Sequence, residues 1–86
     1  MGYLVYILRC GDGTLSTGCT NDLPRRLQAH QSGRGAKYTR SRLPVELVYR
    51  EEASDWSAAL RREAAIKHLS RAQKLELIAA SSGVTN

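Results

Sequence analysis

Residues 3–30 read YLVYILRCGDGTLSTGCTNDLPRRLQAH, and the order of signals in that stretch decides the fold. YLVYILR (3–9) is apolar and rich in β-branched and aromatic side chains, which predicts a strand. GDG (11–13) marks a hairpin turn, because glycine takes the positive φ that tight turns need. TLSTGCT (14–20) returns as the second strand. With the turn centred near Asp12, Tyr6 faces Gly18 and Leu8 faces Ser16, so Tyr6 and Ser16 share one face of the hairpin. A one-residue slip would separate them. Asn21 or Asp22 caps a following helix, with Pro24 in its first turn. That helix runs to about Ser32, and Gly33 stops it.

Beyond it, GRGAKYTRSRL (33–43) is a basic, glycine-containing loop. PVELVYRE (44–51) is a third strand with Pro44 at its edge. Ser54 or Asp55 caps a second helix through about Leu69, and Ser70 caps a third that ends near Ala80. The order β-β-α-β-α-α predicts an α/β chain of the α+β kind. A three-stranded, mainly antiparallel sheet would pack against the helices. Residues 3–80 form one domain in this reading, and the tail SSGVTN (81–86) is disordered.

The chain has 86 residues, enough for one small core. Thirteen Lys and Arg against eight Asp and Glu give a net charge of +5. Between Leu23 and Val45 stand Arg25, Arg26, Arg34, Lys37, Arg40 and Arg42 with no acid among them. A one-sign block of this kind is a footprint for a polyanion, and nucleic acid is favoured over a merely solvated surface. Tyr38, within the block, is set either to stack on an unpaired base or to pack the loop on the sheet. Cys10 and Cys19 form neither CxxC nor zinc spacing, which points to reduced thiols in a cytoplasmic protein. The apolar run 3–8 is too short for a membrane span or a signal segment.

Arg26 and His30 are four residues apart and share a helix face, with Leu23 and Leu27 tying the adjoining face to the core. A guanidinium held there can clamp phosphate oxygens in a forked geometry. Glu63 falls between Trp56, Ala59 and Leu60 on the second helix, inside the expected apolar stripe. A carboxylate there is either paired with Lys67 at i, i+4 or a ligand for a divalent ion. Tyr6 is either a core tyrosine or a base assisted by a nearby cation. His30 and His68 are the groups that titrate near neutrality.

In this order the pieces resemble the GIY-YIG nuclease domain, and within it the small single-domain bacterial subfamily. LVY (4–6) stands at the GIY segment and STG (16–18) at the YIG segment. NDLPRRLQAH (21–30) stands at the arginine helix, and Glu63 in ALRREAAIKHL (59–69) at the glutamate of a later helix. The resemblance implies phosphodiester hydrolysis with one Mg²⁺ or Mn²⁺. It implies that Tyr6 helps activate water, Arg26 stabilises phosphate, His30 assists through proton transfer or phosphate contact and Glu63 holds the metal. Such sites serve DNA repair, recombination and homing. The position of Ser16 is catalytic in the family, where a second tyrosine stands; a serine hydroxyl is shorter and far less acidic. Thr17 replaces the YIG isoleucine, and Cys19 stands where some relatives place lysine.

Two functions follow. The first is a metal-dependent DNA endonuclease, acting on branched, single-stranded or weakly specified DNA and impaired by Ser16. The second is a catalytically weak nucleic-acid-binding module on the same scaffold. A domain that uses its surface for a protein partner has no feature in its favour.

Overall fold

In a computed structural model the chain is described over residues 2–32 and 43–83. The elements run β1 (Tyr3–Cys10), β2 (Leu15–Thr20), α1 (Leu23–Gln31), β3 (Val45–Ala53), α2 (Trp56–Lys67) and α3 (Arg71–Gly83). The strand order is β2-β1-β3, and both pairings are antiparallel. Tyr6 pairs with Gly18 and Leu8 with Ser16, the register that a turn at Asp12 dictates. Gly13 sits at φ +86°, and its N–H donates to Cys10 O at 2.9 Å. A left-handed third residue is what a three-residue hairpin loop requires. Asp12 then accepts from the Thr14 N–H and hydroxyl, locking the loop.

β1 is buried on both faces because α1 covers one face of the sheet and α2 and α3 the other. Tyr6, Leu8 and Cys10 pack with Leu23, Leu27 and Val45 under α1. Val5 and Ile7 pack with Ala59 and Ile66 of α2 and with Leu77 and Ile78 of α3. This two-sided burial explains the near-continuous apolar run of β1.

The caps are where the sequence puts them. Asp22 accepts from Arg25 N, and Asp55 accepts from Ala58 N at 2.7 Å. Ser70 and Gln73 form a reciprocal capping box, Gln73 N donating to Ser70 Oγ and Ser70 N to Gln73 Oε1.

Three boundaries differ from expectation. β3 continues to Ala53, since Glu52 and Ala53 still pair with Leu4 and Tyr3, while Pro44, lacking an N–H, stays outside it. α2 ends at Lys67 rather than Leu69, with His68 as its C-cap. α3 runs through Ser81 and Ser82 to Gly83, so part of the expected disordered tail is helical. Serine costs a helix little, and the first strong terminator is Gly83 itself. The expected stop at Gly33 and the basic loop 33–42 lie outside the described residues.

Candidate functional site

The predicted residues gather around the outer edge of β2. On the α1 face, Tyr6 is 3% exposed and His30 2%. Arg26 Nε–H donates to the Tyr6 hydroxyl at 3.3 Å, and His30 Nε2 lies 3.3 Å from the same oxygen. A guanidinium has donors only, so Tyr6 accepts from Arg26. The single phenolic proton can then point at His30 Nε2 when Nδ1 carries the ring hydrogen, and one lone pair on Tyr6 is left for a further donor. Burial and the neighbouring Arg26 charge lower the His30 pKa from 6.5, which keeps the ring neutral at neutral pH.

Gly18 makes this geometry possible. A β-carbon there would meet Tyr6 Oη at 2.6 Å. The phenol therefore passes across β2 at the one residue with no side chain.

Arg26 commits Nε to Tyr6 and also lines an open cleft of about 430 Å³ with Thr20, Asn21, Asp22, Arg25 and Ala29. The cleft covers the start of α1, where Asp22 caps the Arg25 N–H and the two guanidinium groups of Arg25 and Arg26 outweigh its single carboxylate, which favours an anion.

On the α2 face stands Glu63. Its side chain is 19% exposed, and Oε2 pairs with Lys67 Nζ at 3.2 Å. Oε1 accepts from Cys19 Sγ at 3.4 Å. Burial pushes the Cys19 thiol up to about 11, with the Glu63 hydrogen bond and charge adding to the rise; Lys67 and Arg26 act in the opposite direction.

The buried stripe of α2 is Ala59 and Ile66, with Glu63 one turn from each. Trp56 and Leu60, expected in that stripe, are each 44% exposed. Trp56 instead leans on Tyr3, with ring centroids 5.5 Å apart. The helix is rotated so that small Ala59 takes the position closest to the sheet.

Ser16 lies half-buried on the Tyr6 face, and its hydroxyl makes no hydrogen bond among the described residues. His68 is an exposed cap and takes no part. Arg25 lines the cleft, whereas Arg34, Lys37, Tyr38, Arg40 and Arg42 lie outside the described residues. Sequence reasoning missed Asn21 and Thr20 as cleft residues. It also passed over Cys19 as Glu63's partner, although Cys19 alternates onto the face opposite Gly18.

Comparison with known proteins decides the family. The profile described as the GIY-YIG catalytic domain matches residues 2–76.

The chain belongs to the GIY-YIG family.

GIY-YIG is a nuclease family, so a nucleic acid is the substrate class. Among its relatives is a UPF0213 protein of Natronomonas pharaonis, 52% identical over 94% of this chain and 95% of its own. A UPF0213 protein of Syntrophus aciditrophicus is 57% identical over 86% of each. The solution NMR structure of a UPF0213 protein from Bacillus halodurans superposes with a TM-score of 0.60 at 46% identity, covering 93% of this chain and 85% of that one. A second NMR structure, of a protein from E. faecalis, gives 0.65 at 38% identity, covering 95% and 88%. Both share the expected GIY-YIG-like architecture. Among the described residues no helix is long and apolar enough to cross a membrane.

Proposed function

We propose that the chain is a divalent-metal-dependent endonuclease that hydrolyses DNA phosphodiesters at the β2 edge. The observation that carries this reading is the Tyr6 hydroxyl, held between Arg26 and His30 beside an arginine-lined cleft.

Tyr6 receives a proton from the attacking water on its open lone pair as its own proton passes to neutral His30 Nε2. The long 3.3 Å contacts are of the kind that tighten once substrate is bound. The terminal nitrogens of Arg26 face the charge that builds on the phosphate. Arg25 and Asn21 hold the flanking backbone in the cleft. The basic loop 33–42, with Arg34, Lys37, Arg40 and Arg42, adds backbone contacts that position without reading sequence. Tyr38 adds stacking on an unpaired base. Branched or single-stranded DNA and a role in repair fit such weak sequence reading. Two free thiols fit a cytoplasmic setting.

Among the described residues no group of three or more His, Cys, Asp or Glu could hold a metal. Glu63 would hold Mg²⁺ or Mn²⁺ through one carboxylate, and the ion would supply Lewis acidity at the phosphate.

A catalytically weak nucleic-acid-binding module is the second reading. It is favoured by Ser16 and by the Glu63–Lys67 pair, which occupies the carboxylate with an ordinary ion pair.

The test is cleavage of labelled single-stranded, duplex and branched DNA with Mg²⁺ or Mn²⁺ against EDTA. Metal-dependent cutting that is lost in Glu63→Ala and Arg26→Ala is expected. Salt-sensitive binding without cutting, from every variant and on every substrate, would establish the binding module instead.

A further inference from the structure

Trp56 and Leu60 are large apolar side chains left open to solvent on the helix that carries Glu63. We propose that the Trp56 indole is a stacking site for an unpaired nucleobase of the substrate strand, with Leu60 as the apolar wall beside it. The proposal rests on the nucleic-acid reading above. It adds where an unpaired base is held, and hence why single-stranded or branched DNA is taken in preference to duplex.

Helix geometry puts the indole and the carboxylate on one face. Trp56 and Glu63 are seven residues apart, which is two turns, about 20° around the axis and about 10 Å along it. Leu60 lies between them on the same side. That span is about three stacked nucleotides, and fewer of an extended strand. A base on Trp56 and a phosphate beside Glu63 can therefore belong to one strand.

The sheet register brings the cleft to the same end of the molecule. The Trp56 ring meets Tyr3 with centroids 5.5 Å apart and planes tilted by 52°. Leu4, the next residue, is the cross-strand partner of Thr20, which lines the cleft with Asn21, Arg25 and Arg26. Cys19, one residue before Thr20, donates to Glu63. Indole, carboxylate and arginine-lined cleft are thus grouped around the Thr20 end of β2. Tyr3 braces the indole from one side, so little freedom is left to lose when a base arrives.

The surroundings favour a base over a protein partner. A bare π-face next to a cationic groove is the pairing by which single strands are bound. Asp55, beside the indole, is engaged in capping α2, and Glu51 is held by Arg62. Arg61 donates to Ser57, the neighbour of Trp56, and brings a cation for the strand's backbone. Two side chains, each less than half exposed, offer on the order of 200 Å². A stable protein interface takes about 800 Å² from each partner.

Trp56 is the chain's only tryptophan, so its fluorescence reports this position alone. The experiment titrates the full chain, in EDTA, with labelled single-stranded oligothymidylate and with a duplex of equal length. Tryptophan emission is read beside the anisotropy of the DNA. The single strand is expected to quench the emission in step with its binding, and the duplex to bind with little quenching. Trp56→Leu keeps an apolar contact for Tyr3 and should weaken single-strand binding about tenfold while leaving duplex affinity unchanged. Trp56→Tyr restores a π-face and should recover most of the loss, with circular dichroism showing both variants folded.

Bound single strand with unquenched emission would overturn the proposal, as would parent affinity in Trp56→Leu or an equal loss on both DNAs. Failure of either DNA to bind would overturn it too. Emission that shifts with protein concentration, without DNA, would mean that a second copy covers the indole instead. Quenching by single strand without metal-dependent cutting would sink the endonuclease reading alone. Cleavage that is lost in Glu63→Ala, from a chain whose indole is never quenched, would sink this proposal alone.

Discussion

Tyr6 and Gly18 are direct cross-strand partners, and the phenol of the first occupies the space a side chain on the second would need. A β-carbon on Gly18 would stand 2.6 Å from Tyr6 Oη and 2.7 Å from Cζ, closer than real β-carbons approach any neighbour. The contact lies at the outer end of the ring, where the hydroxyl meets Arg26 and His30. The glycine of the STG segment therefore acts on the site through the position of one oxygen.

Gly18→Ala should displace that oxygen more than it unfolds the chain. Relief of the clash costs about 1–3 kcal/mol of stability. A displacement near 1 Å at a reacting group costs about 10²-fold in rate. Cleavage kinetics beside thermal unfolding check this: a folded Gly18→Ala that cuts at the parent rate would remove Tyr6 from the mechanism.

Arg26 performs two tasks with one side chain, donating Nε–H to Tyr6 and lining the cleft. An ammonium is a single point charge and cannot bridge both. Arg26→Lys is therefore expected to fall almost as far as Arg26→Ala, by about 10²–10³ in kcat. Arg26 is exposed, so neither change should alter the unfolding free energy by more than about 0.5 kcal/mol. A lysine variant with near-parent kcat would show that charge alone suffices.

His30 gives the site a pH dependence of definite sign. Its pKa lies below 6.5 in the folded chain, so between that lowered value and 6.5 the unfolded chain binds more protons than the native one. Stability then rises with pH through this window and is lost as pH falls from 6.5. Burial of the ring comes first among the causes, and a second cation beside Arg26 is disfavoured as well. Denaturant unfolding across the window should show this slope in the parent chain and not in His30→Gln. Cleavage should persist below the pH at which an ordinary histidine protonates.

Local rules account for what was legible. The Gly13 turn, the caps at Asp22, Asp55 and Ser70 and the alternation along β1 each depend on near neighbours, so the fold and the hairpin register could be read directly. The Tyr6–Arg26–His30 cluster was reachable from that register plus helical spacing. Rotation of α2 was not, because Trp56, Leu60 and Ala59 are all apolar and only packing against Ile7 and Val5 selects the smallest. The Cys19–Glu63 contact spans 44 residues and depends on that rotation. Whether Glu63 pairs with Lys67 or holds an ion had no sequence answer, and the ion pair it makes does not block Oε1.

Ser16 tests how much the site lacks. It pairs with Leu8, one step diagonal from Tyr6 on the same face, and is half-buried with its hydroxyl unbonded among the described residues. Diagonal neighbours about 7–8 Å apart are within reach of an aromatic ring. A tyrosine there would bring a second phenol toward the first. An added acid–base group contributes about 10²–10⁴-fold when well placed, and Ser16→Tyr should accelerate metal-dependent cleavage by at least about 10²-fold. The gain should vanish in Ser16→Tyr combined with Arg26→Ala, since the phosphate would no longer be held. A Ser16→Tyr protein that folds and cuts no faster than the parent would mean that Tyr6 and His30 already carry the proton transfer, with position 16 free to vary.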